Sequence, residues 1–359
     1  MNAFPDSSIS LVPCRCTVSV IITARNDEAN ICAAIESSLA AVREVGGEVI
    51  VAAGHSSDRT VELASRYPIR VVQLLDPQER CRRGAVPQLG YQHAGGEYLY
   101  VLDANMQMVP GFLRRALAFL AQHPEAACVG GRLVELKAHG PARPDGGLRA
   151  AGHLSPRKVD QLQGGGLYRR LAIDEVGYFS DCNLHSHEEL DLAVRLRALG
   201  WKLWRIPVDV ATRCGNDAPP YPLLMQRWRS GDLCGSGELL RAAAGQRRLR
   251  LVLRSMRELR SCIAVLAWWC VLLMVPFSPL PVAARAACFV ALAAAPWLLM
   301  LSREHSAARA SCAILSSCLH TAGLLRGLLR ARSSPRAAIE SRVLHEPPQT
   351  SASARQHYA

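Results

Sequence analysis

The sequence predicts an α/β domain with a mainly parallel sheet flanked by helices, followed by C-terminal transmembrane helices. Three observations carry that expectation. Short, continuously apolar strand-like runs alternate with helical stretches over the first third, the pattern of a parallel sheet covered on both faces. Two stretches near the C-terminus, 261–284 and 286–302, hold no charge at all and are long enough to cross a bilayer. Positive charge gathers beside them. The chain of 359 residues carries a net charge of +12, yet residues 1–240 balance 23 Arg and 3 Lys against 26 Asp and Glu. Residues 241–260 hold seven Arg and one Glu, and 326–359 hold six Arg and two Glu. A nucleic-acid domain would spread such charge over its own folded face, so a membrane, and no nucleic acid, is the expected partner. A hydrophobic content of 50% excludes a disordered chain.

The elements follow in order. Val18 to Thr23 is a β-branched run, and Ala24 to Glu28 caps a helix expected over roughly Glu28–Val45. Gly46-Gly47 breaks it before a strand at Glu48–Ala52. Gly54 to Asp58 turns into a helix near Thr60–Arg66, and Ile69–Leu74 is a third strand. Gly84–Ala94 is helical in part, and Tyr98–Leu102 is a fourth strand ending at Asp103. Residues 137–166, rich in Gly, Pro, His and Arg, read as a mobile loop. Helices are expected at Glu188–Leu199 and Tyr221–Gly231. Over 249–260, Leu249, Val252, Leu253, Met256 and Leu259 share one face and Arg250, Arg254 and Arg257 another, as in a helix lying in a membrane interface. Pro276, Pro279 and Pro281 fold the two uncharged stretches into a hairpin, and 310–325 is a weaker third apolar segment.

The expected division is a leader (1–17), two halves of a catalytic domain (18–127 and 128–240), a basic interfacial helix (241–260), a membrane segment (261–330) and a flexible tail (331–359). Three full spans would export Arg326, Arg330, Arg332 and Arg336. Two spans plus an interfacial third segment keep them on the domain's side, and that arrangement is favoured. The 13 cysteines form no CxxC pair or zinc spacing, so they read as small apolar residues of a reducing compartment. Met1–Pro13 lacks a basic run followed by an apolar one, so no signal peptide is expected and the domain should face the cytoplasm.

Ligands of parallel sheets bind at the carboxyl ends of strands, where three polar clusters fall: Asn26–Glu28, Ser56–Asp58 and Asp103–Asn105. Each alone reads equally well as a turn or helix cap. Asp103-Ala104-Asn105 also has the oxygen atoms to hold a divalent cation against a diphosphate. Ser186-His187-Glu188-Glu189 has the S-x-x-E spacing of a capping box, in which Glu189 would bond the backbone of Ser186. Asp191 and Arg195, four apart, suit a supporting ion pair.

Taken together these segments resemble the inverting family 2 nucleotide-sugar glycosyltransferases of the GT-A fold, over roughly residues 18–230. VSVIITARNDEAN (18–30) is similar to the family's opening strand and turn, and EVIVAAGHSSDRT (48–60) to its second strand and loop. GEYLYVLDANMQMVP (96–110) resembles the strand ending in the DxD metal motif, GGLYRRLAIDEVG (165–177) the acceptor-side segment, and HEELDLAVRLR (187–197) the helix bearing the catalytic base. Gly200-Trp201 and Gln226-Arg227-Trp228 resemble the segments that follow.

The resemblance implies that Asn26 and Glu28 line the nucleotide pocket and that Asp58 shapes it. It puts Asp103 on the ribose or metal side, Asn105 at a metal-ligand position, and Arg227 and Trp228 against the diphosphate or acceptor. It puts Glu189 at the place of the base, with Glu188 the alternate. It also implies a nucleotide-sugar donor, Mg²⁺ or Mn²⁺ as cofactor, a lipid or lipid-linked glycan acceptor, and an inner-membrane location facing the cytoplasm. Ala53 and Gly54 stand where the family has Asp-Asp, Asn105 replaces the second Asp of DxD, and Glu189 replaces an Asp. Those departures leave open a nucleotide-sugar-binding protein of the same fold without turnover. A nucleotidyltransferase would need a Gly-rich, Lys-containing loop after the first strand, which Ala24-Arg25-Asn26 is not.

Overall fold

Val18–Ala24 forms strand β1, and all but Thr23 of its residues are buried, as befits the centre of a sheet covered on both sides. The computed structural model describes residues 17–75, 83–136, 143–144, 155–162, 164–214 and 219–347. The leader, except Thr17, and most of the 137–166 segment lie outside these residues. After β1 come α1 (Ile31–Val45), β2 (Gly47–Ala53), α2 (Thr60–Ala64), β3 (Arg70–Leu74), α3 (Ala85–His93) and β4 (Tyr98–Asp103). Strands β3, β2, β1 and β4 lie side by side, all parallel. Gly90 of α3 lies directly on β1, where a Cβ would collide with Ile21.

The first helix starts three residues later than its sequence pattern predicts. Asn26 takes a left-handed backbone (φ 56°), and Asp27 to Asn30 form a turn. The polar groups expected to cap the helix hold a neighbouring loop instead.

The second half is mixed. It comprises β5 (Met106–Met108), α4 (Phe112–Gln122), β6 (Ala126–Leu136), β7 (Arg143–Pro144), β8 (Arg157–Val159), β9 (Leu167–Arg169), α5 (Arg170–Val176), α6 (Glu188–Ala198) and β10 (Lys202–Cys214). Three-residue β9 runs antiparallel between β4 and β6 and stitches the halves into one sheet. β6 and β10 are parallel, and β5 closes the edge against β10. Apolar clusters fill both faces, one around Val20, Ile22, Ile35 and Phe112, the other around Ile21, Leu89, Ile173 and Leu196.

Beyond the sheet lie α7 (Pro220–Ser230), α8 (Gly235–Ala243), α9 (Leu249–Ser255), α10 (Glu258–Met274), α11 (Val282–Glu304), α12 (Ala307–Leu329) and β11 (Ser341–His345). The helix expected over 249–260 is broken: the backbone at Met256 is extended, and α10 begins afresh at Glu258. Val252 and Met256 turn into a core with Leu184, Leu190 and Leu239 rather than outward. Glu258–Phe277, Val282–Glu304 and Ala307–Leu329 are each long and apolar enough to cross a membrane.

The segment expected as a flexible tail is anchored over 331–347. Arg332 pairs with buried Asp181, the Ser333 amide donates to Asn183 Oδ1 (2.8 Å), and β11 pairs antiparallel with β3. These partners lie some 150 to 270 residues away in the chain, which is why local composition gave no sign of them. Residues 348–359 lie outside the described residues.

Candidate active site

Strands β1, β2 and β4 end side by side, and their polar clusters meet there. Asn26 Oδ1 accepts from the Ser57 amide (2.8 Å) while the Asn26 amide donates to Ser56 Oγ (3.1 Å). Asp58 accepts from the Glu28 amide (3.1 Å), the Thr60 amide (3.1 Å) and the Thr60 hydroxyl (2.6 Å). Glu28 Oε2 accepts from the Arg59 amide (3.2 Å). These charge-assisted bonds hold the Asp58 carboxyl below its usual range despite some burial. Asn26, Glu28 and Asp58 thus clamp the two loops to each other.

Asp103, at the end of β4, is treated differently. It accepts from Thr23 Oγ1 (3.0 Å), faces Arg213 at 3.9 Å, and stays exposed. Arg213 comes from β10, a strand absent from the sequence expectations, and is the main functional candidate missed there. Alternating residues such as Val208, Val210 and Thr212 were the available signal.

A cleft of about 80 Å³ opens beside Asp103, lined also by Glu188, Glu189, Gly165, Tyr168, Phe179 and Ser180. Gly165 lets the 164–166 turn form its wall: φ is +98°, and a Cβ would lie 2.9 Å from the Tyr100 hydroxyl. Ser180 Oγ in the cleft, with Tyr100 Oη behind Gly165, Arg213 Nε beside Asp103 and Asn105 Oδ1 two residues on from it, are buried polar atoms with no protein partner. A polar ligand could complete the bonding of such atoms.

The capping box that the Ser186–Glu189 spacing allowed does not form. His187, in a left-handed conformation (φ 67°), is the residue that starts α6, which puts Glu188 and Glu189 at its first two positions. Ser186 Oγ instead donates to the Asp232 carbonyl (2.6 Å), and His187 Nε2 lies 3.1 Å from Ser236 Oγ. Glu189 is therefore free of a capping duty and turned into the cleft.

Confinement by the cleft walls, then the nearby Glu188 and Asp103 carboxylates, push the Glu189 carboxyl up to about 8, against the opposing pull of Arg213 and the Gly164 amide. Its side chain remains exposed to the cleft. Glu188 is raised too, first by burial. The expected Asp191–Arg195 pair is present and buried (2.7 Å), with Arg248 joining it at 3.2 Å. Arg195 also donates to the Tyr178 and Phe179 carbonyls, which fixes the cleft wall.

The remaining candidates lie apart. Asn26, Glu28, Asp58 and Asn105 do not line the cleft. Arg227 and Trp228 sit on α7 outside it, where Trp228 packs under Arg326 of α12. For a cation, Asp103 and the unpartnered Asn105 oxygen offer a sparse oxygen set, and no group of three His, Cys, Asp or Glu converges among the described residues. A divalent ion fits only if a ligand's own oxygens complete its coordination.

Residues 19–173 match the family described as Glycosyl transferase family 2. Among curated relatives, a probable glucomannan 4-beta-mannosyltransferase 15 of Arabidopsis thaliana is 27% identical over 161 residues, 40% of this chain and 28% of the relative. An undecaprenyl-phosphate 4-deoxy-4-formamido-L-arabinose transferase of Pectobacterium carotovorum subsp. carotovorum (strain PC1) is 33% identical over 111 residues, 29% of this chain and 34% of the relative. The chain thus spans about a third of the length of the curated relatives it matches. A solved structure of GalNAc-T7 with UDP, GalNAc and Mn²⁺ aligns over 57% of this chain and 45% of its own, with 16% identity and a TM-score of 0.49. Residues 19–173 of this chain are thus similar to the glycosyl transferase family 2 domain.

Proposed function

We propose that the protein is a membrane-anchored inverting glycosyltransferase. It moves a sugar from a nucleoside-diphosphate sugar to the hydroxyl of a lipid or lipid-linked glycan, at the cytoplasmic face of an inner membrane. The observation that carries the reading is Glu189: a carboxylate without a capping role, at the head of α6, in the same cleft as Asp103.

In the proposed reaction the acceptor hydroxyl enters the cleft beside Glu189. As its oxygen attacks the anomeric carbon from the face opposite the diphosphate, the proton passes to the Glu189 carboxylate. A raised pKa makes that carboxylate a stronger proton acceptor once ionised. Asp103 and Asn105 would hold Mg²⁺ or Mn²⁺ together with the diphosphate, and a bound ion neutralises charge on that departing group. Arg213, 3.9 Å from Asp103, supplies fixed positive charge on the same side. The Asn26–Glu28–Asp58 clamp sets the shape of the nucleotide side, and Glu188 remains the alternate base.

An acceptor in the bilayer is supported by the three apolar helices next to the domain and by the undecaprenyl-phosphate named in one relative. Holding the domain at the surface raises the local concentration of such an acceptor. The test is Glu189→Gln in purified, detergent-solubilised protein, screened with nucleotide sugars and Mg²⁺ or Mn²⁺. Loss of nucleoside diphosphate release with donor binding retained supports the assignment; near-normal turnover transfers it to Glu188. A binding protein without turnover, the reading prompted by Ala53, Gly54 and Asn105, would bind donor in the unmodified protein and release no diphosphate.

A further inference from the structure

Three helices long enough to span a membrane would ordinarily leave the two ends of the segment on opposite faces. The chain enters α10 from the domain: Glu258 lies 3.3 Å from His187 Nε2, and Cys262 is buried. It also leaves α12 into the domain. Gly323 and Gly327 press that helix onto the backbone of Leu233 and Cys234, where a Cβ on either would collide with a carbonyl, and Gly237 meets Leu324 in the same way. Arg330 then pairs with buried Glu238 (2.9 Å), and β11 joins the central sheet through Arg342 opposite Gln73 and Val343 opposite Val72. A strand hydrogen-bonded to β3 must be on the same side of the bilayer as β3. Each crossing changes sides, so the number of crossings is even.

We infer that α10 and α11 cross the bilayer as a hairpin, and that α12 stays in the near interface, its end bound to the domain. This deepens the membrane-anchored reading and relies on it only for the bilayer being present. The choice of α12 follows from its surroundings. Charged Arg309 and the docked Gly323 bound residues 310–322, about 20 Å of helix at 1.5 Å per residue, short of the roughly 30 Å hydrocarbon core. It is the least apolar of the three, with mean hydropathy 1.4 against 1.9 and 1.8, and its apolar window is 22% buried against protein where theirs are 6% and 0%. His320 and Thr321 sit mid-helix, with Thr321 fully buried. The α10–α11 pair, by contrast, shows the surrounding medium Leu273, Met274, Phe277, Val282 and Val290. Arg285 donates to the Pro276 carbonyl (2.8 Å) at the hairpin's turn, where the far headgroups would meet it.

The test maps sidedness without using activity, so its outcome is separate from that of the enzymatic proposal. The full chain, tagged at both ends, is placed in sealed membrane vesicles of known orientation. Both tags should be digested from the same face, and Ser278→Cys, in the α10–α11 turn, should react with a membrane-impermeant maleimide only from the opposite face, with unmodified protein as the background. Arg342→Cys with Gln73→Cys should form an intramolecular disulfide in the intact membrane. Tags on opposite faces, or no cross-link, overturn the even count. Labelling of Ser278→Cys from the domain's own face overturns the crossing hairpin.

Discussion

The two sides of the site use their polar residues in opposite ways. On the proposed donor side, Asn26, Glu28 and Asp58 bond backbone amides of the adjoining loop, and the Asp58 carboxyl is held low. On the proposed base side, Glu188 and Glu189 crowd together with Asp103 nearby, and both carboxyls are held high. The first arrangement stabilises the folded chain. The second destabilises it, and such groups collect where chemistry is done. Parallel strands deliver the first because their ends lie in register, whereas the second needs a helix to start at a left-handed residue beside a glycine turn.

Breaking the high-pKa side should have the largest effect. Glu189→Gln is expected to lower kcat by roughly 100- to 10,000-fold, the usual range for a general base, in a nucleoside diphosphate release assay. The same variant should melt at a higher temperature than the parent at pH 8. A folded-state pKa of about 8 means stability declines as pH rises from the ordinary carboxyl value toward 8, and the amide removes that decline. An unchanged melting temperature would mean that the carboxyl is not raised. Chelation by EDTA is expected to abolish turnover, with Mg²⁺ or Mn²⁺ restoring it; full activity in EDTA would remove Asp103 and Asn105 as ion ligands.

Arg213→Met comes next. It should lower kcat by about 10- to 100-fold through lost charge stabilisation. It should also move the pH–rate profile to higher pH, since Arg213 opposes the upward shift of Glu189. In the parent, kcat/KM should rise with pH toward about 8 because only the ionised carboxyl takes a proton. A profile flat from pH 6 to 9 would argue against Glu189.

The proposed donor side should respond more mildly. Asp58→Ala removes three hydrogen bonds and is expected to cost about 1–2 kcal/mol of stability. It should raise KM for the donor more than it lowers kcat, and a pure kcat defect would reverse the contrast between the two sides.

What the sequence by itself determined is whatever local periodicity and short spacing encode. Continuous apolar runs specified β1 to β4, because strands buried on both faces have no polar side to show. The i,i+4 spacing specified the Asp191–Arg195 pair, and uncharged length specified the apolar helices. Tertiary structure alone decided the rest. Ser186 had the spacing of a cap, yet the Asp232 carbonyl took its hydroxyl and His187 became the residue capping α6, leaving Glu189 to the cleft. Arg213 reached Asp103 through strand pairing more than a hundred residues apart. Residues 341–345 joined the first half of the sheet across the entire membrane segment. The physical reason is common to all three: hydrogen bonds and ion pairs between distant segments depend on which partners the fold brings within about 3–4 Å, and no local pattern carries that information.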